Sequence, residues 1–418
     1  MTVLSTTVRF DRAFFILLAD WLAVGVAVTL PWSTSATSIF IALWLVVALA
    51  TMDAAALKRE LVTPAGGLPV LLWCLGAVGM LWADVDWSAR LNGLDGFDRL
   101  LVIPVLLAQF RRSESGAMVF YGYLASATCL LLTSFAFALI PALGVHGKFY
   151  GVPVKDYILQ SDEFLICGFT LLGAAGACGT RRMGRAAVKL FALGVFFLAN
   201  LAFVFTSRTS LLEVPFLVAA LGWRLSGVKG AATACVIAAL LAPILWFSSP
   251  HLRDFTLHSV AEMRGYFASD AVTSSGMHLE FLRKSFGIAA DAPVIGHGTG
   301  SIPEQFRRVA ARESGAAAAM ASDNPHNQIF AVAIQLGYIG AAVLVAMWIA
   351  HFLLFRGAGW MAWAGMVVVI ENVASSTVNT HLFDFTQGWL YVFGVGVAGG
   401  MVRKRNDAQS SISGNVPL

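Results

Sequence analysis

The sequence predicts an all-α protein that crosses a lipid bilayer many times. Of its 418 residues, 58% are hydrophobic and only 12% are charged, and the mean hydropathy is +0.75. A soluble domain usually carries about 25% charged residues, so a water-facing surface over most of the chain is excluded. Apolar runs of about 20 residues, long enough to cross a hydrocarbon layer about 30 Å thick, recur along the chain. Inside lipid these runs must be helices, because every backbone N–H and C=O group has to be paired internally.

About twelve membrane spans are predicted, although ten or eleven remain open because the fourth and eighth are short and the seventh and eighth are almost continuous. The spans are residues 13–31, 37–53, 67–82, 97–110, 117–142, 162–179, 187–206, 208–223, 229–248, 326–349, 359–373 and 385–402. The first is expected to be an uncleaved signal anchor, because residues 1–12 contain no small-residue cleavage site. All five cysteines fall in apolar runs, which indicates buried thiols and no disulfide framework.

The distribution of basic residues predicts the orientation, because Lys and Arg concentrate in the short cytoplasmic loops of membrane proteins. With both termini inside, the inner segments carry 16 of the 28 basic residues and 5 acidic residues (net +11), and the rest of the chain carries 12 and 19 (net −7). The inner basic residues are Arg9, Arg12, Lys58, Arg59, Arg111, Arg112, Arg181, Arg182, Arg185, Lys189, Arg224, Lys229, Arg356, Arg403, Lys404 and Arg405. The pattern indicates a multi-pass inner-membrane protein. The pI near 8.9 follows from this topology and does not indicate nucleic-acid binding.

The one long loop, residues 250–325, lies outside the cytoplasm in this topology. It separates spans one to nine (1–249) from spans ten to twelve (326–402), which a short cytoplasmic tail (403–418) follows. Long loops without structure are uncommon and usually functional. Apolar residues recur in it near helical spacing, which predicts amphipathic helices lying at the membrane interface. These residues are Leu252, Phe255, Val260, Met263 and Phe267, and then Ile302, Phe306 and Val309.

The first candidate site residue is Arg208, at the outer end of the eighth span. An arginine near apolar membrane depth is costly and tends to face a polar cavity or a partner. Ser207 is expected to cap the following helix and to place Arg208 in its first turn, where the helix dipole is already positive. An arginine at such a position is favoured if an anion neutralises it. The alternative is an arginine that reaches to the lipid headgroups.

The second candidate is His326, where the long loop returns to the membrane. Pro325 suits the first helical position and Asn324 the cap before it, so His326 and Asn327 are expected in the first turn. A helix N-terminus disfavours the imidazolium form, so His326 should be neutral and able to accept a proton, and the free N–H groups there suit a phosphate. The alternative is a structural histidine. Together Arg208 and His326 suggest one cavity near the outer leaflet that binds an anion and accepts a proton.

No cofactor or metal is expected from the remaining motifs. The glycine-rich stretch 296–301 lacks the GK[ST] of a phosphate loop and is predicted to form a tight turn. The pair Asp84 and Asp86 resembles the DxD of nucleotide-sugar transferases but lies on the outer side, where those donors are not supplied. No two histidines stand at HxxxH spacing.

These motifs together resemble the O-antigen ligase/polymerase superfamily of Gram-negative bacteria. The matches are Ser207-Arg-Thr-Ser-Leu-Leu212, a loop stretch Pro293–Ser301, and Asp323-Asn-Pro-His-Asn327, in the right order and with the right sidedness. The resemblance covers roughly residues 200–345 and the twelve-span topology. The short C-terminal tail is most similar to the ligases of the WaaL type.

The resemblance implies a metal-independent glycosyltransferase in the inner membrane, with its active site facing the periplasm. It would move O-antigen polysaccharide from undecaprenyl pyrophosphate to lipid A-core, with membrane lipids around it and no nucleic acid. Arg208 would hold pyrophosphate and His326 would activate the acceptor hydroxyl, with Asp323 and Asn327 of the same motif binding substrate.

The family often has a second arginine after a Ser-x-Gly in the loop, whereas here Ser275-Gly276 is followed by Met277 and His278. Arg264 and Arg283 are the expected substitutes, Arg264 ahead. Direct attack with a single base would invert the anomeric centre, since no pair of carboxylates stands out for a covalent intermediate.

Three other functions remain open at this stage. An O-antigen or capsule polymerase uses the same donor with a second lipid-linked chain as acceptor, and a protein O-oligosaccharyltransferase uses a protein. A transporter would show charged residues near the midplane and two repeated halves. The intramembrane acids are expected to be mainly Asp20 and Glu213, and no repeat is evident, so transport is the weakest alternative.

Overall fold

Helices alone build the protein in a computed structural model, which describes residues 11–143, 150–179, 184–269 and 271–413. Within these ranges no strand occurs, and short 3-10 turns lie at Arg99–Leu101 and Pro141–Leu143. The helices, in chain order, are α1 (Arg12–Thr29), α2 (Thr34–Thr51), α3 (Ala54–Leu61), α4 (Pro64–Gly79), α5 (Trp87–Asp98), α6 (Val102–Phe110), α7 (Gly116–Leu139), α8 (Tyr157–Gly179), α9 (Gly184–Phe203), α10 (Arg208–Ser248), α11 (Pro250–Ser269), α12 (Ser274–Asp291), α13 (Ile302–Ala310), α14 (Gln328–Leu354), α15 (Trp360–Ser375) and α16 (Phe385–Ser413). Residues 1–10 and 414–418, together with Arg181 and Arg182, lie outside the described residues, so the predictions made for them are not addressed by the structure.

The helical membrane class predicted from the sequence is confirmed. Each predicted span coincides with a helix or part of one, and seven described helices are by themselves long and apolar enough to cross a bilayer. An eighth span arises if α3 and α4, which are bent by 83° at their junction, count as one. Large apolar side chains such as Val46, Leu240 and Phe247 are exposed on the outside of the bundle. A surface of this kind suits lipid contact. The count of twelve stays a prediction.

Helix α10 is a hairpin of two arms, which correspond to the predicted eighth and ninth spans. Ser226 and Gly227 have non-helical backbone angles, and Gly227 has φ +64°, a conformation that favours glycine. A Cβ atom added to Gly222 would lie 2.4 Å from the carbonyl oxygen of Gly230. Residues eight apart in a straight helix are about 12 Å apart, so the chain must fold back on itself.

Helix α14 is broken, and the glycine-rich loop fits into the break. Gly337 has φ +64°, and the backbone N–H groups of His297 and Gly298 donate to the carbonyls of Ile334 and Gln335 (2.8 and 2.9 Å). Gly296, Gly298 and Gly300 all have positive φ. The predicted tight turn is therefore confirmed, and its role is to supply hydrogen-bond partners to a helix that is interrupted there.

The segments predicted to be cytoplasmic meet at one end of the molecule. Arg111 pairs with Glu60 on α3 (2.9 Å) and with Asp407 on α16 (2.7 Å). Arg224, at the end of the first α10 arm, donates to the carbonyl of Gly359 before α15 (2.9 Å). We call this the basic end. Arg208 starts the same arm, so it lies roughly 24 Å away, at the opposite end of the bundle.

The long segment 250–325 forms three helices at that opposite end. Helices α11 and α13 occur where the apolar spacing predicts them, whereas α12 was not anticipated. The interfacial position predicted for the apolar face of α13 is wrong. Ile302 and Phe306 are buried in a cluster with Phe281 of α12 and Ile334 of α14, so this face packs against protein. Apolar residues of α11, among them Phe267, remain exposed.

Candidate functional site

Arg208 begins α10 and fastens it to α11 and α12. Its helix is capped as predicted, because the Ser207 side chain accepts a hydrogen bond from the backbone N–H of Ser210 (2.9 Å). The guanidinium donates to Ser259 (Nε, 2.9 Å), to Ser274 (Nη1, 3.2 Å) and to Glu262 (Nη2, 2.7 Å). About a third of the side chain (36%) remains exposed. Arg208 is therefore held in place but still accessible.

The anion that neutralises Arg208 in this structure is the carboxylate of Glu262. Glu262 also accepts hydrogen bonds from the backbone N–H (3.2 Å) and the hydroxyl (2.7 Å) of Ser275. Partial burial favours a higher pKa for Glu262, but the Ser275 hydrogen bonds and the charge of Arg208 outweigh it and lower the pKa below its ordinary value. The carboxylate is ionised at neutral pH, so Arg208 does not need an external anion in the resting state.

The helix start predicted at Asn324 and Pro325 is wrong. Asn327 is the cap of α14: it has an extended backbone, and its Oδ1 accepts from the N–H of Phe330 (3.0 Å). Asn324 instead accepts from the N–H of His326 (2.7 Å), which closes a local turn. His326 thus precedes the helix and has φ +51°, a left-handed conformation that is uncommon for residues other than glycine.

His326 lies in a half-buried pocket of rings formed with α12. Its ring stacks on Phe281 (centroids 5.7 Å apart, planes at 13°) and contacts His278 (4.3 Å). Burial lowers the pKa of His326, and a hydrogen bond with Asn379 opposes this in part. Burial, together with the charges of His326 and Arg208, lowers the pKa of His278 to about 4. Both rings are therefore neutral at physiological pH, as predicted for His326, but the main cause is burial.

Asn379 links the two predicted site residues. Its Nδ2 donates to the hydroxyl of Thr209, the residue after Arg208 (2.9 Å). Its Oδ1 consequently faces His326 Nδ1 (3.4 Å), which must carry the proton in order to donate. In this tautomer the lone pair is on Nε2, which forms no hydrogen bond within the described part of the chain. Neutral His326 is thereby oriented as a proton acceptor.

The two loop arginines are placed differently. Arg264 is exposed on α11, and among the described residues it forms no hydrogen bond or ion pair. Arg283 pairs with Glu280 (2.6 Å) and with Glu313. It lies on the face of α12 that points away from His278. Those two carboxylates raise the pKa of Arg283 further. The structure links neither arginine directly to Arg208 or His326, and His278 is the ionisable side chain of α12 that contacts His326.

Asp323 and Asn327 have separate roles in the structure. Both ends of the Asn327 amide are used, since Oδ1 caps α14 and Nδ2 donates to the carbonyl of Thr377 (2.9 Å). Asp323 is exposed and lines a cleft of about 560 Å³, together with Asp86, Asp95 and Gln335. Asp84 and Asp86 do not act as a metal-binding pair here, because Asp84 pairs with Arg308 (2.7 Å) and Asp86 caps α5.

Within the described residues, one group of side chains could hold a metal ion, although the sequence spacing indicated none. Asp162, Glu213, Glu371 and His381 each offer one ligand atom, and these four atoms lie within 4.8 Å of one another. The prediction that Asp20 and Glu213 are the main intramembrane acids is therefore wrong, because Asp162 and Glu371 are also buried in helices.

Sequence reasoning missed His278 and Asn379 as neighbours of His326. A signal for Asn379 existed, because residues 375–381 form a polar run between two apolar helices at the outer end. For His278 the signal was its position in the loop, where the resembling family often has an arginine.

Fold and site together define a multi-pass helical membrane protein with an arginine–histidine site at the end opposite the basic end. Residues 192–345, which include Arg208, His278 and His326, match the family model described as O-antigen ligase, Wzy_C. The matched region is 154 of the 418 residues, and over it the chain is similar to the O-antigen ligase superfamily. The search of the curated proteins finds no match.

Proposed function

We propose that the protein is an O-antigen ligase of the WaaL type. It transfers O-antigen polysaccharide from undecaprenyl pyrophosphate to a sugar hydroxyl of lipid A-core, at the periplasmic face of the bacterial inner membrane. The observation that carries the proposal is the link between Arg208 and the neutral His326 through Thr209 and Asn379. Arg208 and His326 lie in the region that matches the family, and Asn379 lies beyond it. This link supports a single site in which Arg208 binds the anion and His326 acts as the base.

The reaction forms a bond between the acceptor oxygen and the anomeric carbon and breaks the bond from that carbon to pyrophosphate. His326 Nε2 takes the acceptor's proton, and the bonding electron pair leaves with the pyrophosphate, whose charge Arg208 stabilises. Asn379 keeps the proton on Nδ1 and so keeps Nε2 basic.

Donor binding replaces the resting partner of Arg208. Pyrophosphate carries more negative charge than one carboxylate and matches the planar guanidinium, so it competes with Glu262 for the same group. Arg264 is exposed and unpaired within the described chain, which favours it over Arg283 as the second arginine on the pyrophosphate.

The cleft beside Asp323 is the proposed site for sugar residues next to the reacting centre. Asp86, Asn92, Asp95 and Gln335 line it, and carboxylate and amide groups are good partners for sugar hydroxyls. We expect Asp323→Asn to raise the KM for a glycan substrate with a smaller effect on kcat.

A single base acting on the acceptor inverts the anomeric configuration. The stereochemistry is tested by comparing the anomeric linkage of the carrier-linked donor with that of the product by NMR. A retained linkage excludes the direct attack described above.

The decisive experiment is in vitro transfer with purified protein, carrier-linked glycan and lipid A-core. We expect His326→Ala to lower the rate about 10²–10⁴-fold, because a positioned base contributes that much, and we expect Arg208→Ala to cause a comparable loss. Arg253→Ala is the matched control, because Arg253 lies on α11 and its charged partner is the neighbouring Asp254 at 3.8 Å. Undiminished transfer by both site variants would overturn the site.

The lipopolysaccharide of a deletion strain separates the related activities. A lost ligase leaves full-length polysaccharide on the carrier and unsubstituted core, whereas a lost polymerase leaves core capped by a single repeat. Glycan found on protein instead of core identifies an oligosaccharyltransferase, and acceptor-independent uptake into liposomes identifies a transporter.

A further inference from the structure

A buried group of four ligand atoms lies beneath the start of α10. It consists of Asp162 on α8, Glu213 on α10, Glu371 on α15 and His381 in the loop before α16. The four ligand atoms lie within 4.8 Å of one another, and the residues are 0%, 0%, 3% and 1% exposed, respectively. Three carboxylate side chains are thus packed together where water does not reach them.

Several polar atoms of this group have no hydrogen-bond partner within the described residues. Both carboxylate oxygens of Glu213, one oxygen of Glu371 and Nδ1 of His381 form no hydrogen bond within the described residues. His381 Nδ1 lies 3.5 Å from a carboxylate oxygen of Asp162. A buried polar group without a partner is unfavourable, and more so if it is charged. Neighbouring buried carboxylates also repel one another, so a positive charge at their centre removes both costs at once.

We propose that Asp162, Glu213, Glu371 and His381 bind one divalent transition-metal ion, such as Mn²⁺ or Zn²⁺. Carboxylate oxygens suit Mn²⁺, and a nitrogen ligand from imidazole favours Mn²⁺ and Zn²⁺ over Mg²⁺ and Ca²⁺, which prefer oxygen alone. With metal–ligand bonds of about 2.1 Å, ligand atoms are about 3.4 Å apart in a tetrahedral site and about 4.2 Å apart where they lie opposite each other in an octahedral one. The four atoms lie within 4.8 Å of one another, so binding an ion draws them together by on the order of 1 Å.

Neighbouring side chains orient the ligands, as is usual around metal sites. Ser210 donates to one oxygen of Asp162 (3.2 Å), and Gln387 donates to the other (3.4 Å). These contacts come from α10 and α16, so five segments of the chain converge on the site.

The site lies where it can position the Arg208–His326 centre. Ser210 and Glu213 belong to the first two turns of α10, which Arg208 begins, and His381 belongs to the short loop that carries Asn379. An ion held here fixes the start of α10 relative to α8, α15 and that loop. The buried ion is a positioning element and does not contact the glycan, so the inference goes beyond the proposed transfer reaction and does not rest on it.

The test measures metal binding directly, without any glycan. Purified full-length protein is treated with a chelator and equilibrated with MnCl₂ or ZnCl₂, and bound metal is then measured by elemental analysis and Mn²⁺ by EPR. We expect about one ion per chain and an increase in Tm on loading. Glu213→Gln and Glu371→Gln should each weaken binding at least tenfold.

Glu163→Gln is the matched control. Glu163 is next to Asp162 on α8 and equally buried, but it is not one of the four ligands, so its variant should bind metal like the wild type. Binding of less than half an ion by the wild type at saturating Mn²⁺ and Zn²⁺ overturns the proposal, whatever the variants do. Equal binding by the wild type and both ligand variants also overturns it, since the metal would then be bound elsewhere.

Discussion

At the scale of single residues, His326 determines how the proposed reaction depends on pH. Burial lowers its pKa below 6.5, so the neutral, proton-accepting form persists to lower pH than in a free histidine. Transfer should be constant above that pKa and fall as the pH falls through it, with the acid limb below pH 6.5. The pH–rate profile of kcat/KM measures this, and a limb centred above pH 7 would assign the base to another group.

His278 adds a second prediction at this scale. Its ring is 4.3 Å from that of His326, and burial keeps it neutral. His278→Arg introduces a permanent positive charge there, which further disfavours the protonated form of His326. The acid limb of the profile should move to lower pH, whereas His278→Gln, the neutral control, should leave it near the wild-type position. An unchanged limb in His278→Arg would show that the two side chains do not interact during catalysis.

The proposed function of Arg208 depends on the shape of its side chain as well as on its charge. Its planar guanidinium contacts Ser259, Ser274 and Glu262 together, which a lysine ammonium at the end of a flexible chain does not reproduce. Arg208→Lys should therefore lower transfer about 10²-fold, the effect of losing a positioned donor to the reacting anion. Transfer assays at saturating donor measure this loss, and near wild-type activity would mean that charge alone is required.

Local signals in the sequence predicted some of these residues well and others poorly. Ser207 was predicted to cap α10 because serine is a good capping residue and an apolar run follows it. Asn324 and Asn327 both qualify by type, and the choice between them depends on Thr377, which holds the Asn327 amide from a distant loop. Asn379 and the His381 cluster depend on packing between helices far apart in the chain, which no local pattern contains.

At the scale of elements, the fit between the glycine-rich loop and broken helix α14 decides stability. A Cβ atom on Gly298, whose φ is +90°, would lie 2.4 Å from Cα of Ala83. Gly298→Ala should therefore lower the free energy of unfolding by more than about 2 kcal/mol, from backbone strain and this clash. Thermal unfolding in detergent measures the change.

The control for that variant is a helical glycine with free space around it. Gly287 lies inside α12, and nothing approaches within 4 Å of an added Cβ atom. Gly287→Ala should stabilise the protein by roughly 0.5–1 kcal/mol, because alanine loses less backbone entropy in a helix. A similar loss of stability in both variants would mean that the loop does not depend on glycine at position 298.

The spans were predictable as elements because their apolar runs are long, whereas their interruptions were not. The hairpin at Ser226 and Gly227 was anticipated as a boundary between two spans. The break at Gly337 was not, since an isolated glycine in an apolar run is ordinary in membrane helices and only the partner loop around Pro293 makes it a break.

At the scale of the whole molecule, the basic end is held together by a buried carboxylate. Glu60 is fully buried and pairs with Arg111 (2.9 Å) and Arg403, which join α3 to α6 and α16. Glu60→Gln removes the buried charge that both arginines pair with and should destabilise the protein by about 3–5 kcal/mol. Glu114→Gln, which removes an exposed carboxylate at the same end, should cost less than about 1 kcal/mol. Equal stability of the two variants, measured as Tm at fixed detergent, would contradict a structural role for Glu60.

The orientation of the whole molecule in the membrane is the broadest prediction, because the charge count assigns the basic end to the cytoplasm. Ser411, near the end of α16, should then lie inside, and Ser269, at the end of α11, should lie in the periplasm. In cells with a permeabilised outer membrane, a membrane-impermeant maleimide should label Ser269→Cys at once and Ser411→Cys only after lysis. The side chains of Ser269 and Ser411 are both exposed. Labelling of the native cysteines in the wild type gives the background. The reverse labelling pattern would place Arg208 and His326 on the cytoplasmic side, where a ligase of periplasmic polysaccharide could not work.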